Sequence, residues 1–222
     1  MRIQKYLSEQ KICSRREAEE YIKKGLIKIN GAVVTNLATQ IDPAKDSVEF
    51  TNRGNIEKIT IAVNKPRGVV SSPSFLPKKY QKLNSVGRLD KDSEGLLLFS
   101  NDGALTAAVT GIGRNVEKEY EVRVRERVTP SKLHKLASGI NLEDGSTLPA
   151  KTKAISDAMF RIVLREGRNH QIRRMCNAIH LTVVSLKRTR IGGIVLGNMK
   201  PGDLRELSEQ EIEKLKMLAS PA

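Results

Sequence analysis

The stretch GRLDKDSEGLLLFSNDG, Gly87 to Gly103, is where the reading of this chain begins. Leu96-Leu97-Leu98-Phe99 is a continuous apolar run, short enough for a buried strand. Asn101-Asp102-Gly103 behind it has turn chemistry. In front of it Asp90 sits in a segment flanked by Gly87 and Gly95, with Arg88 two residues upstream. Taken alone, Asp90 reads first as a loop aspartate paired with Arg88 or Lys91.

Upstream, ITIAVNKP (59–66) reads as a strand ending at Pro66 and GVVSS (68–72) as a second short strand. Pro73, Pro77 and nearby lysines make 72–84 a loop. Downstream, Ala104 to Thr110 can form a short helix. EKEYEVRVRE (117–126) alternates, with Tyr120, Val122 and Val124 facing one way. Residues 130–138 read as a helix and 141–149 as a loop and short strand. FRIVLREG is another alternating strand, ended by Gly167. NHQIRRMCNAIH reads as a helix with Ile172, Met175, Cys176 and Ile179 inward, and LTVVSLKRTRI as a strand rich in β-branched residues. A capping box, Ser208 to Glu211, opens a last amphipathic helix. Residues 59–222 are therefore predicted to form a mixed, largely antiparallel α+β domain.

Residues 1–48 read as a separate small unit. Ile3, Leu7 and Ile12 suggest a short first helix, and Ser14 with Glu17 forms a capping box for a second, Arg15 to Lys24, stopped by Gly25. Ala18, Tyr21 and Ile22 share one face. Asn30-Gly31 is a hairpin signal between Ile27-Lys28-Ile29 and Ala32-Val33-Val34, and Asp42-Pro43 is a turn before a strand around Val48. Residues 49–58 are polar, with turn chemistry at Arg53-Gly54-Asn55, and are predicted to be a linker.

The chain has 222 residues, 39 basic and 25 acidic, for a net charge of +14. Eight of the basic residues and a single acid, Glu166, fall within 161–190, a net +7 in thirty residues. A surface charged only for solubility would mix its signs more evenly, so the expected partner is a polyanion, nucleic acid above all. Arg15 and Arg16 at a helix N-terminus are unfavourable without an anion nearby, which suggests phosphate contacts. No apolar run approaches the roughly 20 residues that span a bilayer, and the N-terminus lacks an apolar signal core, so a cytosolic, cytoplasmic protein without membrane association is expected. Cys13 and Cys176 lack partners at metal-ligand spacing, and His134, His170 and His180 form no metal motif. No metal and no cofactor are expected.

Two resemblances add to this reading. The order helix, SRREAEEYIKKG and NG hairpin resembles the S-four RNA-binding domain over roughly the first 48 residues. The order GRLDKDSEGLLLFSNDG, EKEYEV, EGRNHQIRRM and LKRTRIGGI resembles the pseudouridine synthases of bacterial ribosomal RNA, of the RsuA/RluB/RluF type, through nearly the whole chain. Where that branch more often has arginine this chain has His170, and its NHQIR spelling is nearer to a sister branch. The resemblance implies a small α/β RNA-binding domain (1–48), a linker (49–58) and a catalytic domain (59–222). It implies isomerisation of a uridine to pseudouridine in ribosomal RNA, of the large subunit, by a monomer acting on a structured loop with the uridine flipped out. The same chemistry on transfer RNA, or a non-catalytic RNA-binding or ribosome-assembly factor of the same fold, are the alternatives.

By the same resemblance Asp90 is the catalytic carboxylate, Arg173 its cationic partner and Tyr120 the residue against the target uracil. A carboxylate kept ionised in a water-poor pocket needs such a cation, and arginine stays charged and can bind bidentately. Arg88 matches a position that holds the flipped nucleotide. Arg168, Asn169, Arg174, Lys187, Arg188 and Arg190 are the expected phosphate track, with Arg15, Arg16, Lys23 and Lys28 as RNA contacts of the small domain.

Overall fold

The structure is a computed structural model that describes residues 1–10, 12–51, 57–111 and 116–218. Backbone contacts divide the chain into two compact units, Met1–Ile59 with Asn101–Ala104, and Thr60–Ser100 with Leu105–Ala222.

In the smaller unit, α1 (Ile3–Glu9) and α2 (Arg15–Lys23) pack with β1 (Ile27–Ile29), β2 (Ala32–Val34) and β3 (Val48–Phe50), which form a sheet in the order β2-β1-β3. The Ser14–Glu17 capping box forms in both directions. Asn30 and Gly31 both take positive φ, 50° and 82°, as a type I′ hairpin requires. Ile3, Leu7, Ala18, Ile22 and Ile27 make the core. Two expectations are corrected. Ile12 lies beyond the end of α1 and is exposed; five residues past Leu7 it is about 140° round the helix from it, off the apolar face. Glu49 and Phe50 do not begin a linker. They pair with Lys28 and Ile27, and the Phe50 ring meets Tyr21 edge-on at 5.4 Å. The turn expected at Arg53-Gly54-Asn55 lies outside the described residues.

The larger unit is built on β4 (Thr60–Lys65), β5 (Asn84–Val86), β6 (Glu94–Ser100), β7 (Lys118–Val124), β10 (Lys151–Ser156), β11 (Met159–Leu164), β12 (Val183–Ile191) and β14 (Leu204–Glu206). The short hairpin β8 (Asn141–Leu142) and β9 (Gly145–Ser146) stands apart from that sheet, while β13 (Ile194–Val195) pairs with β12. The helices are α3 (Gly103–Thr110), α4 (Pro130–Ser138), α5 (Gln171–Asn177) and α6 (Glu209–Leu218). The main order is β10-β11-β7-β12-β6-β4-β14, with β5 on β6. Among the described residues no helix is long and apolar enough to cross a membrane.

The sheet has two halves, each with its own core. Val122, Val124, Phe160 and Ile162 pack with Leu136 of α4 and Met175 of α5. Ala62, Leu96 and Leu98 pack with Leu105 of α3 and Leu215 of α6. The halves meet where β12 runs parallel to β6, and there only Lys187↔Glu94 and Arg188↔Gly95 pair; the other strand pairs are antiparallel. Gly95 has φ +104°, and a Cβ on it would collide with the backbone of Arg188. Gly95→Ala is therefore expected to cost at least about 2 kcal/mol, strain plus collision, read as a lower urea midpoint at unchanged slope.

GVVSS is not a strand: Gly68, at φ +84°, turns the chain and donates to the Lys91 carbonyl, and Val70 is exposed. The edge strand β10 was not foreseen, because KTKAIS shows almost no apolar contrast between its faces.

Candidate active site

Two anchors hold the loop that carries Asp90. Ser71 Oγ donates to the Leu89 carbonyl at 2.7 Å and accepts from the Leu89 amide at 2.9 Å. Lys65, wholly buried at the end of β4, donates to the carbonyls of Pro66, at 2.9 Å, and Val69, at 2.5 Å, with Lys91 at 3.4 Å. Burial pushes the Lys65 ammonium below its ordinary range, while Asp90, Asp92 and Glu94 act the other way. Sequence reading passed over Lys65; a lysine at the end of an otherwise apolar strand, just before proline, was the available signal.

The Asp90 carboxylate, one-third exposed, faces two basic groups from one short segment. Arg173 Nε of α5 lies 3.9 Å from Oδ2 and His170 Nδ1 lies 3.7 Å from the same oxygen. These are ion-pair distances, longer than hydrogen bonds. Arg173 also reaches Ser93 Oγ at 3.5 Å. His170 has a left-handed backbone, φ 49°, so α5 begins only at Gln171. That turn brings His170 round to Asp90, a role that sequence reading did not give it.

A cavity of about 420 Å³ opens beside this group, lined among others by Arg88, Asp90, Lys118, Tyr120, Asn169 and Arg188. Its size is within the usual range of small-ligand sites. Tyr120 enters from β7, opposite Ile162 on one side and Arg188 on the other. Lys118, two residues earlier on the same strand face, donates to the Val109 carbonyl at 3.0 Å. Burial, and then the charge of Arg188, bring its ammonium down to about 8. The Cys176 thiol, on the buried face of α5, is pushed up to about 12 by burial and is chemically quiet.

The structure thus brings Asp90, Tyr120 and Arg88 to one cavity, with Arg173 against the carboxylate. It does not assemble the expected phosphate track. Arg168 is engaged within the protein, with Nε on Glu166 at 3.0 Å and Nη1 and Nη2 on the carbonyls of Asp144, Gly145 and Ser146. Arg174 binds Asp144 through two hydrogen bonds of 2.9 Å, which hold that carboxyl below its ordinary range. Arg190 joins Glu117, 3.1 Å away, whose carboxyl is held down to about 2 by Lys151 and Arg190. Arg188 is buried, 4% exposed. Lys187 is half-buried, while Asn169 and Arg88 are exposed at the cavity. In the smaller unit Arg15 and Arg16 are exposed at the start of α2, Lys23 pairs with Glu20 at 3.1 Å, and Lys28 is half-buried.

A family model described as RNA pseudouridylate synthase matches residues 59–178, and an S4 domain model matches residues 1–47. Ribosomal large subunit pseudouridine synthase B of Bacillus subtilis (strain 168) is 35% identical over 98% of this chain and 96% of its own length. Dual-specificity RNA pseudouridine synthase RluF of Escherichia coli (strain K12) is 35% identical over 96% of this chain and 77% of its own. A crystal structure of a pseudouridylate synthase superposes with a TM-score of 0.74 at 33% identity, covering 97% of this chain and 99% of that one.

Proposed function

The chain belongs to the RNA pseudouridylate synthase family, and from that premise we propose that it converts a uridine of large-subunit ribosomal RNA to pseudouridine, with Asp90 as the catalytic carboxylate. The isomerisation detaches uracil from its ribose at nitrogen, turns the base, and rejoins it through carbon. No atom is gained or lost, and the reaction is redox-neutral. The observation that carries the assignment is the Asp90 carboxylate at the cavity wall, with Arg173 and His170 within 4 Å of one oxygen. A non-catalytic RNA binder gains nothing from a carboxylate facing RNA phosphates.

Asp90 acts at the ribose. The Arg173 guanidinium, 3.9 Å away, is the charge partner of the carboxylate when the flipped nucleotide excludes water. Tyr120 lies against the uracil, its ring a stacking surface and its hydroxyl a proton-handling group. Arg88, exposed at the cavity mouth, holds the extruded nucleotide; extrusion costs a few kcal/mol that such contacts must offset. The large-subunit substrate is supported by the Bacillus relative, whose name specifies it and which aligns with almost the whole chain. The smaller unit, with exposed Arg15 and Arg16 at the start of α2, binds RNA.

The test is to incubate the protein with unmodified ribosomal and transfer RNA and map new pseudouridines by carbodiimide-dependent reverse-transcription stops. New stops in large-subunit RNA are expected. Stops confined to transfer RNA would replace the substrate assignment, and none in any RNA would overturn the activity.

A further inference from the structure

The parallel seam between β12 and β6 separates the two residues that matter most. Asp90 comes from the loop leading into β6, on one half of the sheet, and Tyr120 comes from β7, on the other. Two residue pairs of backbone are a thin joint for groups that must stay in register. The Arg188 side chain crosses it within the sheet and reaches both the strand and the loop on the far side. Arg188 Nε donates to the Leu96 carbonyl of β6 at 2.7 Å, and Nη1 donates to the Arg88 carbonyl, two residues before Asp90, at 3.3 Å. Nη1 also approaches the Tyr120 hydroxyl at 3.5 Å, with the guanidinium carbon 5.9 Å from the ring centre.

Arg188 is a poor choice if the seam needs only filling. It is 4% exposed, and its Nη2 is buried without a hydrogen-bond partner. A buried cation and an unpaired buried donor both cost stability. Methionine has similar reach and would fill the volume without either cost. What methionine lacks is the planar fork that joins three fixed acceptors.

We propose that Arg188 is the positioning residue of this active site. It fixes the Asp90 loop against Tyr120 across the seam, and because its Nη1 donates to the Tyr120 hydroxyl, the phenolic proton is left to point towards the substrate. This rests on the reading of the cavity as the isomerisation site. It also explains Gly95, whose missing side chain lets the Arg188 backbone close on β6.

The experiment is single-turnover kinetics of the full-length protein on unmodified large-subunit ribosomal RNA, over a range of RNA concentrations, with the wild type and Asp90→Asn alongside. In Arg188→Met the saturated rate is expected to fall about a hundredfold, the scale of a misplacement near 1 Å, with half-saturation changed less than about threefold and thermal stability kept or raised. Arg188→Lys keeps a cation but not the fork and is expected to lose at least about tenfold. Guanidinium ion should restore part of the rate of Arg188→Ala, and sodium ion at equal ionic strength should not. A saturated rate near wild type in folded Arg188→Met overturns the proposal. If that variant does not fold, a fully active Arg188→Lys overturns it. Loss that appears only in half-saturation also overturns it, making Arg188 an RNA-binding group. An inactive wild type would fall on the proposed function and not on Arg188.

Discussion

Asp90→Asn is expected to lower the single-turnover rate by more than about 10³-fold, the scale seen when one member of a catalytic group is removed, while RNA affinity stays within about twofold of wild type. The replacement is nearly isosteric, and the Asp90 side chain is one-third exposed, so the fold has little to lose. The loop is held by Ser71 at the Leu89 backbone and by Lys65 at the Lys91 carbonyl, neither through the Asp90 side chain. The measurement is pseudouridine formed under enzyme excess, with binding read separately by filter retention. Full activity in the Asn variant would remove Asp90 from the chemistry, and weakened binding at an unchanged saturated rate would make it an RNA contact.

The second large effect separates two arginines five residues apart. Arg173→Met takes the guanidinium from beside the Asp90 carboxylate and should lower the saturated rate about a hundredfold or more. Arg168→Met should leave that rate within severalfold. It releases four contacts of the β8–β9 hairpin and Glu166, so its main effect should be a loss of about 1–3 kcal/mol in stability. Because its guanidinium is engaged within the protein, Arg168→Met should leave the salt dependence of RNA binding almost unchanged. A shallower salt slope in that variant would return Arg168 to the RNA surface. A saturated rate that falls more for Arg168→Met than for Arg173→Met would exchange their roles.

The fate of these arginines shows what a linear sequence conveys and what it withholds. Apolar periodicity marked β6, β7, β11, β12 and α5 because the cores they face are continuous, as at Val122, Ile162 and Met175. Special residues marked the turns, as at Asn30-Gly31 and Ser14–Glu17, because local sterics and capping decide them. In the sequence the basic run 161–190 is uncompensated, since only Glu166 lies within it. Folding brings Asp144, Glu117 and Glu119 to it from other strands and hairpins. Local charge counts cannot see acids that arrive through tertiary contact. His170 and Lys65 were missed for a related reason. The first depends on one left-handed residue that reverses the chain before α5, and the second on three carbonyls that converge only after β4 meets the loops around it.

One consequence lies far from the chemistry, at the outer rim of the sheet. β10 is an end strand, with one line of backbone groups paired to β11 and the other without a strand neighbour among the described residues. Such a rim can template the addition of another chain, and cross-β assembly grows from rims of this kind. Here Lys151 and Lys153 are exposed along it, and its register breaks between Ala154 and Ser156. Lys151 is ion-paired with Glu117, so an incoming copy would bring a second Lys153 ammonium beside the first and meet a ladder that is interrupted at its far end. The strand that looked least like a strand in the sequence therefore puts at the rim a polarity and an irregularity that work against edge-to-edge stacking.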